Sequence, residues 1–189
     1  MAEAVPEVEV RSRADLRKWL AANHDSAGTV WLLHHTKASP HYVPFGELVS
    51  ELLCWGWVDS VSRGAREPLT AHRISPRGAG SAWSAVNKAK VAEERAAGRM
   101  TPAGEAAVAR AEASGTWTFL DDVERLEVPP DLDAALGGLR PVWDGWPRSV
   151  RRGTLEWIKT AKAEATRARR IADVAESAAA GLRPSIFRR

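Results

Sequence analysis

The sequence predicts an α+β fold: a small antiparallel sheet in the N-terminal part packed by helices, with a helical C-terminal half. Three observations predict it. Short β-branched or alternating apolar runs are confined to the first 75 or so residues. Beyond them, apolar residues recur at helical spacing between Ser or Thr caps and glycine stops. Neither a Gly-rich strand-to-helix fingerprint nor a GxxxxGK[ST] phosphate loop marks a nucleotide-binding α/β fold.

Residues 1–6 read as a tail, and residues 8–11 alternate as a short strand. Ser12 is placed to cap a helix over 13–23, with Leu16, Trp19 and Leu20 on one face. The run TVWLLHH at 29–35 is dense in β-branched and bulky side chains and reads as a strand. Phe45, Leu48, Leu52 and Trp55 give helical spacing over 45–55, stopped by Gly56. Residues 57–61 and 70–75 read as two further strands. Ser81 is the expected cap of a helix running to Ala97. Thr101, followed by Pro102, opens the next helix, which runs to about Ala113. Residues 117–146 mix Pro, Gly and Asp with short apolar pieces and predict a connection holding one short helix near 131–136. Residues 149–180 are helical with a break near Thr160. The expected organisation is one domain over 7–180, with an α+β core at 7–116, a connection at 117–147 and a helical part at 148–180; 181–189 read as a second tail.

Composition narrows the function classes. Cys54 is the only cysteine, which excludes an intramolecular disulfide and any metal site built on paired cysteines, and fits a reducing cytoplasm. The opening MAEAVPEVEV has neither a basic nor an apolar region and is not read as a signal peptide. No stretch approaches the roughly 20 apolar residues of a membrane span, so no membrane partner is expected. The net charge of +3 is unevenly spread: from residue 147 onward there are 11 Lys+Arg against 4 Asp+Glu, leaving the preceding residues at −4. Nine Trp against one Tyr and three Phe point to indole used in the core, in an interface or as a flat ligand wall.

Four constellations carry possible chemistry. Glu51 and Cys54 share a helix face, while Trp57 and Asp59 share a strand face just after Gly56. A carboxylate beside indole rings can acquire the raised pKa of a general acid, so Glu51 and Asp59 are the candidate acid/base residues; Cys54 reads as core. Arg73, Ser75 and Arg77 alternate into a glycine-containing loop that ends at Ser81, Trp83 and Ser84. Arginines beside a helix start describe an anion site. Ser84, Asn87 and Lys88 continue as a polar strip. Lys162, Thr166 and Arg170, four apart, form a basic stripe on the C-terminal helix. His24, His34, His35, His41 and His72 fit no metal spacing, and neither a metal nor another cofactor is expected.

These stretches resemble the YdeI/OmpD-associated family, also described as bacteriocin-protection proteins. The resemblance rests on Leu53-Cys54-Trp55-Gly56-Trp57-Val58-Asp59; Arg73 with Ser75-Pro76-Arg77; Ser81, Trp83, Ser84 and Asn87; Gly98-Arg99-Met100-Thr101-Pro102-Ala103-Gly104; and Ala161-Lys162, Thr166-Arg167 and Arg170-Ile171, in that order over about residues 8–180. Ser60 and Ser75 depart from the family pattern, and 117–146 matches it poorly. The resemblance implies a bacterial protein of stress and antimicrobial tolerance; it supplies no catalytic residues.

Together the motifs predict a Trp-walled, Arg-lined pocket for a small organic anion. Arg73, Arg77 and Ser81 would hold the charge, with Trp57 and Trp83 as walls. Ser84, Asn87, Lys162 and Arg170 would complete it, and Glu51 and Asp59 would act if the ligand is modified as well as bound. Whether the protein is an enzyme is left open at this level. The competing expectation is a nucleic-acid or protein-partner module built on the basic C-terminal helix. A third makes Lys162 and Arg170 a structural clamp on Glu51. The indole content also fits a homodimer.

Overall fold

Residues 7–10 alternate Glu-Val-Glu-Val, and they form the first strand, β1 (Glu7–Val10), of a four-stranded sheet. The structure, a computed structural model, describes residues 5–188; residues 1–4 and 189, part of the expected tails, lie outside the described residues. The chain divides between Phe119 and Leu120 into two compact units.

In the first unit Ser12 caps α1 (Arg13–Asn23) by accepting from the Asp15 amide at 3.0 Å. The chain then returns as β2 (Val30–His35), continues through α2 (Phe45–Cys54), and forms β3 (Trp57–Gly64) and β4 (Leu69–Pro76). The sheet order is β1-β2-β4-β3. β2–β4 and β3–β4 pair antiparallel, with a bulge between Asp59 and Ser62. β1 and β2 pair parallel, because the connection between them is a crossover helix and not a hairpin. The sheet is therefore mixed at one edge.

One sheet face carries Val10, Val30, Leu32, Ile74 and Trp57, which pack with Leu16 and Leu20 of α1 and Leu48 and Leu52 of α2. The opposite side of α2 presents Leu53 to Trp83, Val91, Val108 and Ala111. These come from α3 (Ala85–Ala96), α4 (Pro102–Ser114) and the segment before α3. α2 is thus enclosed on several sides, and six of its ten residues are buried, Glu51 among them. At about 1.5–3 kcal/mol for each fully buried Leu-sized side chain, its apolar residues are a main source of stability.

The GRMTPAG stretch is a docking device for the end of α2. Thr101 caps α4, and its hydroxyl donates to the Cys54 carbonyl at 2.6 Å. A Cβ on Gly104 would come within 2.2 Å of that same oxygen, so only glycine admits the approach. Gly56, at φ +70°, makes the turn from α2 into β3 against Ala103 and Ala107.

The second unit is helical: α5 (Asp121–Glu124), α6 (Pro130–Leu136), a 3-10 turn (Gly137–Leu139), α7 (Arg140–Asp144), α8 (Arg148–Lys159) and α9 (Glu164–Ala179). The expected connection is thus folded into short helices, with Pro130 and Pro141 in first turns, where a missing N–H costs nothing. The break near Thr160 is real, and it leaves Lys162 ahead of α9, off the helical stripe expected to join it to Thr166 and Arg170. The stretch after α9 folds back: Pro184 is buried, and the Ser185 amide donates to Asp173 at 2.9 Å.

Candidate functional site

The enclosure of α2 forces Glu51 to find positive partners, since a buried carboxylate left alone is prohibitively costly. Glu51 is 1% exposed. It accepts from Arg13 Nε at 2.8 Å, Arg17 Nη1 at 2.8 Å and Trp55 Nε1 at 3.0 Å. Arg13 and Arg17 lie four apart on α1, so one helix face supplies both. Arg13 also donates to Glu94 of α3 at 2.7 Å, and Arg99 donates to the same carboxylate at 2.6 Å. Burial works to raise the Glu94 pKa, but the hydrogen bonds from Arg99 and Arg13 outweigh it and hold the group at about 2. The Cys54 thiol sits 3.6 Å from Glu94. Burial, then the charges of Glu51 and Glu94, push it up to about 12, so it stays protonated at neutral pH. This network is closed, with about three of the acceptor positions on Glu51 already filled.

The surroundings of Arg77 are the opposite case. Arg77 follows β4, and its amide donates to the Gly56 carbonyl at 2.9 Å. The residue is only 8% exposed. Its guanidinium carbon lies 3.9 Å from the centre of the Trp83 ring. Nη1 donates to the Ser81 hydroxyl at 2.8 Å and the Ala82 carbonyl at 3.0 Å, while the buried Nε has no partner. Among the described residues it forms no ion pair within 4.0 Å. Burial draws the guanidinium down to about 10, opposed by the charge of Asp59. It remains a cation at neutral pH. Arg77, Gly78, Ser81, Trp83, Arg110 and Thr116 are among the residues lining a recess of about 10 Å³, room for one water-sized group.

The remaining expected site residues are placed as follows. Ser81 does not cap a helix. α3 starts later and is capped by Ser84, which accepts from the Asn87 amide at 3.2 Å, and Ser81 is left to receive Arg77. The Ser84–Asn87 spacing is that of a cap and its N3 residue. Trp57 is 1% exposed, donates to the His24 carbonyl and meets Trp19 edge-on at 5.6 Å, so it is a wall of the core. Trp83 is equally buried but lines the Arg77 recess. Arg73 is exposed, and its carbonyl accepts from Ser60. Asp59 is half-buried and reaches Arg77 and His72 through its charge. In the second unit Lys162 is exposed, while Arg170 donates to the Trp157 carbonyl and covers the Trp157 ring at 5.1 Å. The clamp on Glu51 is made by Arg13 and Arg17.

Histidines supply one further cluster. His34 Nε2 and His72 Nδ1 are 2.9 Å apart, and Phe45 stacks on His72 at 3.7 Å. Burial first, then the neighbouring His72, push His34 down to about 4. Among the described residues no group of three or more His, Cys, Asp or Glu could hold a metal ion. The sequence reading missed Arg13, Arg17, Glu94, Arg99 and Arg110. Only the i,i+4 spacing of Arg13 and Arg17 was a local signal.

Two family models match the chain. Residues 8–107 match a domain of unknown function, DUF8412, and residues 125–181 match the family described as bacteriocin-protection, YdeI or OmpD-associated. The motifs from Leu53 to Gly104 fall in the first match and those from Ala161 to Ile171 in the second, one on each side of the division at 119/120. No curated protein and no solved structure matches.

Proposed function

We propose that this chain, which belongs to the domain-of-unknown-function family DUF8412 and ends in a bacteriocin-protection, YdeI or OmpD-associated segment, binds a small organic anion at the Arg77 recess. One observation carries the reading: a buried guanidinium with an unpaired Nε and no counter-ion, beside a second arginine and a small opening. Such a cation is destabilised until an anion reaches it. The recess has room for one water-sized group, so a single oxygen of the anionic head enters it and the rest of the ligand stays outside. The reading is of binding: of the two expected acid/base residues, the Glu51 carboxylate is occupied by Arg13, Arg17 and Trp55. The bacteriocin-protection description of the family matched at 125–181 supports a place in tolerance of bacteriocins, and the single Cys54 is compatible with a reducing cytoplasm.

The test is thermal unfolding with Trp fluorescence in acetate, against chloride at equal ionic strength, for wild type and Arg77→Met. A low-millimolar dissociation constant raises the wild-type midpoint by several degrees at about 100 mM acetate, and Arg77→Met abolishes the rise. An identical response to chloride, or an Arg77→Met protein that still responds, sinks the proposal.

A further inference from the structure

The second unit contains a cavity of about 120 Å³ that the anion reading does not use. Its apolar lining is Val123, Pro129, Leu155 and Ile158, and the Val, Leu and Ile side chains are buried. Asp122, Glu127, Lys159 and Arg167 line it as well. Lys159 places its ammonium 2.6 Å from both Asp122 oxygens, and Arg167 holds Asp131 through two bonds of 2.6 and 2.8 Å. The hydrogen bond from Lys159 contributes to holding the Asp122 carboxyl below its ordinary range against burial, and that from Arg167 does the same for Asp131. Both are therefore ionised at neutral pH.

We infer that this cavity binds a small uncharged ring-sized molecule, with its apolar body on Val123, Leu155 and Ile158 and any polar substituent toward Arg167. Size and charge select that class together. An apolar cavity of about 150 Å³ takes up benzene, so about 120 Å³ is ring-sized space, here with an apolar wall and a charged rim. Each charged lining residue already has an opposite partner, Asp122 with Lys159, Glu127 with Arg125 and Arg167 with Asp131, so a charged ligand would give up hydration against ion pairs that are already made. Arg167 uses two of its five N–H donors on Asp131, which leaves donors for a hydroxyl or carbonyl on the ligand. The Thr166-Arg167 motif then has a role: it closes the rim of a hydrophobic site. The site is independent of Arg77, and the preferred ligand charge differs between the two.

The test is methyl-labelled NMR of the full chain with phenol, and with benzoate and benzylamine as the charged counterparts. Phenol is expected to give intermolecular NOEs to the Val123, Leu155 and Ile158 methyls and to bind at least about tenfold more tightly than either ion, a difference of roughly 1.4 kcal/mol. Ile158→Phe, which fills the space, should abolish the NOEs to Val123 and Leu155; if that variant does not fold, the wild-type NOEs decide alone. No NOE to these methyls up to the solubility limit of phenol, or benzoate or benzylamine binding as tightly as phenol, overturns the inference. Arg77→Met should leave phenol binding unchanged, so its failure and the failure of the anion reading are separable.

Discussion

The first unit holds two groups in which arginine meets buried polar atoms, and they differ in one respect. Around α2, each buried charge has an opposite: Arg13 lies between Glu51 and Glu94, with Arg17 and Arg99 completing the set. At the end of β4, Arg77 is as enclosed as many core residues yet meets only a hydroxyl, a carbonyl and an indole face. A closed network stabilises one arrangement of the chain, because removing any member strands another charge. An open one leaves electrostatic demand unmet, and an anion can supply it. The difference separates residues that hold the fold from residues available for binding.

The largest expected effect lies in the closed network. Glu51→Ala leaves Arg13 without one carboxylate and Arg17 without its ion pair, and should lose on the order of 3–5 kcal/mol in urea unfolding. A loss below about 1 kcal/mol would show that the network contributes little. Acid should come next. His34 binds its proton at about 4 in the folded chain against an ordinary value near 6.5, so the unfolded chain holds more protons between those pH values. Stability should therefore fall as pH drops from about 6.5 to 4, by up to about 3 kcal/mol, and His34→Gln should flatten that slope. Glu94 adds a second decline from about pH 4.5 to 2, as its contribution disappears with protonation. A wild-type profile flat from pH 7 to 4 would remove the case for His34. The smallest effect should come from Arg77→Met without added anion. Loss of the Trp83 contact and two hydrogen bonds offsets relief of an unpaired buried charge, so stability should stay within about 1 kcal/mol of wild type. A loss above about 3 kcal/mol would place Arg77 with the structural arginines and erase the contrast.

Much of the architecture was legible locally. Ser12, Thr101 with Pro102, and the gap after Lys159 are signals that lie within a few residues of what they specify, and the elements formed there. Arg77, Ser81 and Trp83 were legible as a group because they sit within seven residues and share one recess. The short helix at 130–136 was expected, but those at 121–124 and 140–144 were not, since four or five residues do not complete a 3.6-residue pattern. Ser81 was the expected cap of α3; Ser84 caps it instead, and Ser81 accepts from Arg77.

The sequence by itself determined the α+β order, most helix starts, the absence of disulfides and the concentration of arginine and indole near residue 77. Only the tertiary structure decided that β1 pairs parallel to β2, that Glu51 is neutralised from α1, and that the buried Nε of Arg77 is left without a partner. The physical reason is range. Caps, turns and periodicity act within a helical turn or two, whereas the arginine partners of Glu51 are 34 and 38 residues away and those of Glu94 reach 81. A buried charge is judged by its nearest neighbours in space, and those are set only when the chain has closed around it.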